Sequence, residues 1–288
     1  MATMTGAEVR EALGSAVDAL RAAGVEDPRL DAELLLAEAT GWSRASLVAD
    51  PAAEVPPAAA RSFGEMVRRR LRREPVAYIL GRKGFRGIEL AVDRRVLIPR
   101  PETELLVEVA LDLAPRRVLD IGTGGGAVAL AVADELPACE VTATDSSPGA
   151  LEAARANAER LGLTERVRFL EGTLPEGESF DLILANLPYV AERDWAALQP
   201  EVTQWEPREA LLAGPDGLDA YRTLITKSAG PLCRIGRLKS GGLAVEVGEG
   251  QAAAVASLMR DSGFADVEVR RDLAGIERVV VGRAEVTS

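Results

Sequence analysis

The sequence predicts an α/β fold: a mostly parallel sheet covered by helices on both faces, preceded by a small helical domain. Three observations carry this. From about residue 98 onward, short apolar runs alternate with helix-like segments, the signature of a parallel sheet buried on both sides. Residues 1–73 are dominated by Ala, Leu, Glu and Arg, which favour helix. Residues 74–97 change character, with Gly81, Gly84 and Gly87 interrupting aromatic and β-branched residues. The expected organisation is therefore a helical domain over 1–73, a β-hairpin linker over 74–97 and an α/β domain over 98–288.

In the helical region, Asp27-Pro28 reads as a helix start, and Leu30, Leu34 and Leu35 share a face with Ala37 and Glu38 close by. Pro51 and Pro56-Pro57 punctuate the segment. Arginines 61, 68, 69, 70, 72 and 73 cluster towards its end. Such a cluster is either the solvated face of an amphipathic helix or a docking surface for an acidic or nucleic-acid-bearing partner. In the linker, the alternation Ile88-Glu89-Leu90-Ala91-Val92 predicts a strand. Seven further strands are expected: Arg117–Ile121, Glu140–Thr144, Arg166–Leu170, Phe180–Ala185, Leu243–Val247, Val267–Arg271 and Arg278–Val281. Helices are expected at roughly 102–113, 126–136, 148–161, 216–229 and 250–262. Only the loop Asp272–Glu277 separates the last two strands, so they should form an antiparallel hairpin at the sheet edge. No internal repeat is evident.

Bulk properties narrow the function. The 288 residues are 47% hydrophobic, enough for well-filled cores. The net charge of −11 and pI near 4.8 give no global attraction to a phosphate backbone, so direct nucleic-acid binding is disfavoured. Cys139 and Cys233 form neither a CxxC nor a disulfide framework, which suits a reducing cytoplasm. There is no histidine, so histidine bases, triads and metal sites are excluded, and no metal is expected. The start MATMTGAEVR does not read as a secretory signal, and no apolar run is long enough to span a membrane.

The run Asp120-Ile121-Gly122-Thr123-Gly124-Gly125-Gly126 follows the first strong strand and opens a helix. Glycines there let the backbone approach a ligand, and the helix start offers unpaired N–H groups. Twenty-three residues after Gly122, Asp145 ends the next strand, where a carboxylate can accept both ribose hydroxyls. The pattern fits an adenosine-containing cofactor. Gly122-x-Gly124-x-x-Ala127 also satisfies the nicotinamide dinucleotide fingerprint, and a plain tight turn would use the same glycines. Asp120 tilts the choice: a carboxylate suits the cationic amino-acid end of S-adenosylmethionine and is badly placed beside a pyrophosphate.

A second candidate site follows the fourth of these strands, at Asn186-Leu187-Pro188-Tyr189. Ligands bind at the carboxyl ends of such strands. A planar NH2 group needs two acceptors and a flat partner. Asn186 offers its side-chain carbonyl, Leu187 a backbone carbonyl restricted by Pro188, and Tyr189 a ring to stack on the target. The plainer reading is a loop with a turn proline and a core tyrosine.

Here the sequence resembles the peptide chain release factor N5-glutamine methyltransferases, over nearly its whole length. The marks are Glu74-Pro75-Val76-Ala77-Tyr78-Ile79-Leu80-Gly81 with Phe85, then Leu97-Ile98-Pro99-Arg100-Pro101-Glu102-Thr103-Glu104, the glycine loop, and Asn186–Tyr189. Glu206-Pro207-Arg208-Glu209-Ala210-Leu211 and Gly214-Pro215-Asp216-Gly217-Leu218 complete them. The Ile-Pro-Arg-Pro-Glu-Thr run is the most specific. The resemblance implies a class I S-adenosylmethionine-dependent methyltransferase domain, Rossmann-like with a mostly parallel seven-stranded sheet, behind a helical N-terminal substrate-recognition domain and a β-hairpin. It implies methyl transfer to the glutamine of the Gly-Gly-Gln motif in class 1 release factors, a protein substrate, with S-adenosyl-L-homocysteine as by-product. By motif match, Asp120, Gly122, Thr123, Gly124, Gly125, Gly126, Asp145 and Asn186 would hold the cofactor, and Leu174 would touch it from the loop after the third strand. Asn186, Leu187, Pro188 and Tyr189 would hold the glutamine, with Asn186, Pro188 and Tyr189 forming the catalytic set. A cytoplasmic monomer is expected.

One departure is Leu187, where the family has a first proline; Asn-Leu-Pro-Tyr is familiar from rRNA adenine dimethyltransferases. Leucine keeps the carbonyl acceptor and gives up backbone stiffness. The stretch Cys233–Lys239 is irregular for the family. With no histidine base, catalysis is expected from positioning and electrostatics. Arg100 and Glu102 either order a loop over the site or form a structural ion pair. The chief rival is an adenine N6-methyltransferase acting on nucleic acid, which would explain Leu187 and the arginines but not the acidic charge. A nicotinamide-dependent oxidoreductase and a non-catalytic binding module are the others.

Overall fold

The protein is described here from a computed structural model, over residues 7–229 and 242–284. Cys233–Lys239 lies outside the described residues. The chain divides into two compact units: Met1–Gly81 with Gln199–Trp205, and Arg82–Leu198 with Glu206–Ser288.

The first unit is helical. Helices Val9–Ala22, Pro28–Thr40 and Pro57–Leu71 enclose a core that includes Leu13, Leu20, Leu35, Leu36 and Phe63. Pro28 opens the second helix as expected. Its buried face differs from the expected one: Leu30 is exposed, and Ala32, Leu35 and Leu36 are buried beside Asp31 and Glu33. The two acids interrupt the apolar pattern that a sequence reading follows, and both are paired, Glu33 with Arg29 and Arg44, Asp31 with Arg70. Residues expected in the linker instead extend this unit. Pro75 precedes the short helix Val76–Leu80, and Gly81, at φ 72°, ends it in the left-handed conformation. Gly81 thus caps a helix, where the sequence suggested a break within the hairpin.

The arginine cluster divides: Arg61, Arg68 and Arg72 are exposed, as on a solvated helix face, while Arg69, Arg70 and Arg73 are paired with acids. Arg70 is buried, with Nε 2.6 Å from Asp31 and Nη2 2.6 Å from Glu201. Arg73 reaches the other Glu201 oxygen at 2.6 Å, and Arg69 holds Glu74 at 2.6 Å. Glu201 lies on the six-residue helix Pro200–Trp205, so these guanidinium groups fasten a distant piece of chain into the helical core. Buried acids so placed require such partners.

The second unit begins with an antiparallel hairpin, β1 (Arg82–Phe85) and β2 (Ile88–Ala91), with Phe85 opposite Ile88. Its two-residue turn places Arg86 at φ 47°. Seven strands follow among the described residues: β3 (Arg117–Ile121), β4 (Glu140–Asp145), β5 (Val167–Glu171), β6 (Leu182–Ala185), β7 (Gly242–Glu246), β8 (Phe264–Arg271) and β9 (Glu277–Ala284). They form one sheet in the order β5-β4-β3-β6-β7-β9-β8. Pairing is parallel from β5 to β7 and antiparallel at β9 with both β7 and β8. The expected terminal hairpin is present, with β9 inserted inside and β8 at the edge. Strand order reverses beside β3, between β4 and β6, so a crevice opens there at the carboxyl ends of the strands. Helices Glu104–Leu113, Ala127–Glu135, Pro148–Leu161, Asp219–Ala229 and Ala252–Asp261 connect or flank the strands. Central strands are buried throughout, β6 entirely, which accounts for their unbroken apolar runs. No helix among the described residues is long and apolar enough to cross a membrane.

Candidate active site

The glycine loop leaves β3 and is tied to the end of β4. The amides of Gly122 and Thr123 both donate to the Thr144 carbonyl, at 2.8 and 3.0 Å. Gly122, Gly124 and Gly126 adopt φ of 72°, 55° and 88°, conformations that other residues reach only with strain. At Gly126 a side chain would also collide with Leu130, 2.8 Å from the position a Cβ would take. Gly124 donates its N–H to Asp145 Oδ2 at 2.9 Å, and Ser147 N donates to Oδ1 at 2.8 Å. Each carboxylate oxygen keeps a further lone pair, so Asp145 can still accept two hydroxyls.

A cavity of about 180 Å³ lies against this loop. Gly122, Gly124, Asp145, Asn186, Leu187 and Pro188 are on its wall, together with the apolar Val96 and Leu97. An adjoining cavity of about 380 Å³ shares Ile121, Thr173 and Leu187 with it, and there Leu174 is exposed to the void. Residues from two distant stretches of sequence, after β4 and after β6, thus meet at the strand-order reversal.

Asp120, Thr123, Gly125 and Gly126 are not on these walls. The Asp120 carboxylate is 2% exposed and accepts from Thr123 Oγ1 at 2.7 Å and Ala129 N at 3.2 Å. It therefore braces the loop and the helix start from behind, where the sequence suggested a direct contact with a cationic ligand. Burial pushes its proton affinity up to about 7, against the opposing pull of those two donors. Gly125 is held through its carbonyl, which accepts from Asn157 Nδ2 at 2.9 Å. Asn157, fully buried on the helix Pro148–Leu161, also exchanges hydrogen bonds with the Ala91 backbone of the hairpin. A polar residue on the apolar face of a helix was the available signal for this residue, which the sequence reading passed over.

The Asn186–Tyr189 turn is fixed from three directions. Asn186 Nδ2 donates to Thr103 Oγ1 at 3.0 Å. Thr103 is 4% exposed and ends the Ile98–Thr103 run, so that run has a structural task. The Tyr189 carbonyl accepts from Gln251 Nε2 at 2.9 Å. Tyr189 itself is half-buried against the core of the unit and lies off the cavity wall; burial pushes its hydroxyl up to about 12, so it stays protonated. Gly217, at φ 78°, has no room for a side chain: a Cβ would stand 2.4 Å from the Tyr189 carbonyl. Gly248 abuts the Tyr189 ring, with a Cβ position 3.1 Å from Cδ2.

Glu206 locks the remaining motifs together. Its buried carboxylate accepts from Ile98 N at 3.0 Å and pairs with Arg100. Arg100 thus finds its partner in Glu206, and the expected pairing with Glu102 is replaced. Pro207, Glu209 and Ala210 follow onto the cavity wall.

Known proteins share these features in sequence. The family described as the PrmC N-terminal domain matches residues 11–81, and that described as a methyltransferase domain matches residues 118–205. A release factor glutamine methyltransferase of Caulobacter vibrioides is 43% identical over 276 residues, covering 93% of each chain. One from Geobacter sulfurreducens is 45% identical over 265 residues, covering 90% of this chain and 91% of its own. The chain belongs to the release factor glutamine methyltransferase family. Among solved structures, the catalytic domain of human METTL16, crystallised with a MAT2A 3′UTR hairpin, superposes with a TM-score of 0.56 at 18% identity, over 73% of this chain and 80% of that one. That likeness concerns the fold alone. Within this family member, the strand order and the wall formed by Gly122, Asp145 and Asn186 belong to a methyltransferase domain and remove the oxidoreductase and binding-module readings.

Proposed function

We propose that the chain transfers a methyl group from S-adenosylmethionine to the side-chain nitrogen of the glutamine in the Gly-Gly-Gln motif of class 1 peptide chain release factors. One observation carries the chemistry: Asn186 lines the cavity beside the glycine loop and gives its N–H to Thr103, which leaves Oδ1 as the amide atom for a ligand. The wall suits the cofactor. Asp145 has lone pairs for ribose hydroxyls, Gly122 and Gly124 admit close approach, and Val96, Leu97 and Pro188 supply apolar surface.

When bound, the cofactor supplies an electrophilic sulfonium methyl. An amide nitrogen is a poor nucleophile because its lone pair is delocalised. Asn186 Oδ1 and the Leu187 carbonyl accept its two hydrogens and aim the nitrogen, and both stabilise positive charge as the new N–C bond forms. Tyr189, kept protonated and packed against the core off the cavity wall, backs the turn, its carbonyl held by Gln251. Asp120 and Asn157 hold the loop from behind, and Glu206 with Arg100 holds the Ile98–Thr103 segment that carries Thr103. In this reading the Leu174 side supplies a cofactor contact, the helical unit recognises the release factor, and the protein acts as a cytoplasmic monomer.

Three of the six arginines that would favour a nucleic-acid substrate, Arg69, Arg70 and Arg73, are paired with Glu74, Asp31 and Glu201. Incubation with labelled cofactor, a release factor and rRNA tests substrate choice. Label should appear in the release factor; label in RNA alone would contradict the reading.

A further inference from the structure

The far end of the Asn186–Tyr189 turn is held by a side chain that the fold brings to it from residue 251. Gln251 stands at the N-cap of the helix Ala252–Asp261, yet its side chain makes no capping bond there. Its carboxamide is used elsewhere. Nε2 donates to the Tyr189 carbonyl at 2.9 Å and lies 3.5 Å from the Gly217 carbonyl, and Oε1 accepts from Gly248 N at 3.0 Å. Gln251 N also donates to the Gly248 carbonyl at 3.1 Å, which closes a ring between the two residues. Glycines on both sides make the space: a Cβ at Gly217 would stand 2.7 Å from Gln251 Nε2, and one at Gly248 2.9 Å from Oε1.

The direction of this amide follows from its partners. A backbone N–H only donates and a carbonyl only accepts. Turned over, Nε2 would face the Gly248 N–H and Oε1 would face two carbonyls, so one orientation fits. The peptide unit between Tyr189 and Val190 is thereby gripped on both sides, its carbonyl by Gln251 and its N–H by the Leu211 carbonyl at 2.8 Å. At the other end of the turn, Asn186 Nδ2 donates to Thr103. Between these anchors stands Pro188, which has a fixed φ and no N–H by which it could be held. The two anchors therefore aim the Leu187 carbonyl that lies between them.

We propose that Gln251 is a positioning residue for methyl transfer: by gripping the Tyr189 carbonyl it fixes the turn so that Asn186 Oδ1 and the Leu187 carbonyl meet the target nitrogen together, which rests on the reading that this turn holds a planar NH2 group. Gln251 touches neither cofactor nor substrate. Its contribution is orientation, and orientation appears in turnover more than in cofactor binding.

Two replacements of similar length separate orientation from packing. Gln251→Met removes every polar contact of the side chain. Gln251→Glu keeps an acceptor for Gly248 N. When ionised, it sets a second acceptor against the Tyr189 and Gly217 carbonyls; when protonated, it again has one hydrogen for Tyr189. The segments packed against the amide carry Asp216 and Asp219, both paired with Arg222, together with Glu246, Glu249 and the neutral phenol of Tyr189. Nearby acids favour the neutral form of a new carboxyl, and the helix start favours the ionised form.

The test is methyl transfer by the full-length protein to a class 1 release factor, for wild type and both variants, between about pH 5.5 and 9. At pH 8 both variants should lose about tenfold or more of kcat, with cofactor affinity from calorimetry within about twofold of wild type. Divided by the wild-type rate at each pH, the activity of Gln251→Glu should climb severalfold towards pH 5.5 as the carboxyl regains its hydrogen, while that of Gln251→Met stays flat. Lost packing alone would give two flat ratios. Two flat ratios, wild-type kcat at pH 8 in either variant, or a loss matched by weaker cofactor binding each overturn the proposal. If Gln251→Met does not fold, Gln251→Glu, which keeps its bond to Gly248, decides alone through its ratio. Wild-type protein that binds cofactor yet methylates no release factor at any pH overturns the underlying reading, and the proposal with it.

Discussion

Asn186 is held at its nitrogen, which leaves its oxygen for a ligand, and its replacement should separate binding from chemistry. Asn186→Ala removes the acceptor without touching Asp145 or the glycine loop. It should lower kcat about 10²-fold or more while the cofactor dissociation constant, from calorimetry, stays near the wild-type value. Gly217 is the contrasting case, a residue with no chemistry. Gly217→Ala places a Cβ 2.4 Å from the Tyr189 carbonyl at φ 78°, so the turn must shift. A cost of about 1–3 kcal/mol is expected from the backbone alone, read as a lower Tm together with reduced activity. At this scale the sequence was legible where residues meet the cavity: Gly122, Asp145 and Asn186 share one wall. It was less legible where the role is support. Asp120 looks like a ligand-binding carboxylate from its place in the motif, and only its burial shows that it braces the loop. Asn157 shows only as a polar residue on an apolar helix face, because its partners Ala91 and Gly125 are brought to it by the fold.

Elements were legible where the apolar pattern was unbroken. The strand Arg117–Ile121 and the helix Pro148–Leu161 have the bounds that periodicity predicts, because a buried parallel strand and a capped amphipathic helix each have one strong local solution. The short helix Val76–Leu80 and the helix Pro200–Trp205 were not foreseen. Each is under two turns, too short to be stable by propensity, so tertiary contacts decide them. For Pro200–Trp205 the decisive contact is Glu201 with Arg70 and Arg73. Arg70→Met should therefore loosen the helical unit by about 3–5 kcal/mol, since Asp31 and Glu201 would lose the cation between them. Hydrogen exchange should show lost protection in Pro28–Thr40 and Pro200–Trp205. Unchanged protection would mean that the buried cluster contributes nothing to the unit.

For the molecule as a whole, the active site has a stability cost that pH should reveal. Asp120 and Glu246 start from ordinary values of 3.8 and 4.5 and are both pushed up to about 7 by burial. The folded state therefore holds these protons more tightly than the unfolded state, and stability must fall as pH rises from about 4.5 to 7. Each group contributes on the order of 3 kcal/mol. Cofactor-free protein should show a Tm that declines across that window, and Glu246→Gln should decline less; parallel profiles would contradict the assignment. The paired acids Glu33, Glu201 and Asp272 are shifted the opposite way and lose their contribution only at lower pH. Fold class was legible at this scale from strand–helix alternation and the terminal hairpin. The substrate class came from motifs within residues 74–104 and 206–218 that carry no catalytic group by themselves; of these, residues 97–104 and 206–218 join the turn at Asn186 in space through Thr103, Glu206 and Gly217. The central claim is that this turn methylates a glutamine amide. Mass spectrometry of a class 1 release factor, after incubation with the protein and S-adenosylmethionine, tests it most directly: the account predicts a single added methyl group on the glutamine of the Gly-Gly-Gln peptide, and an unmodified peptide, or a methyl group on any other residue, would contradict it.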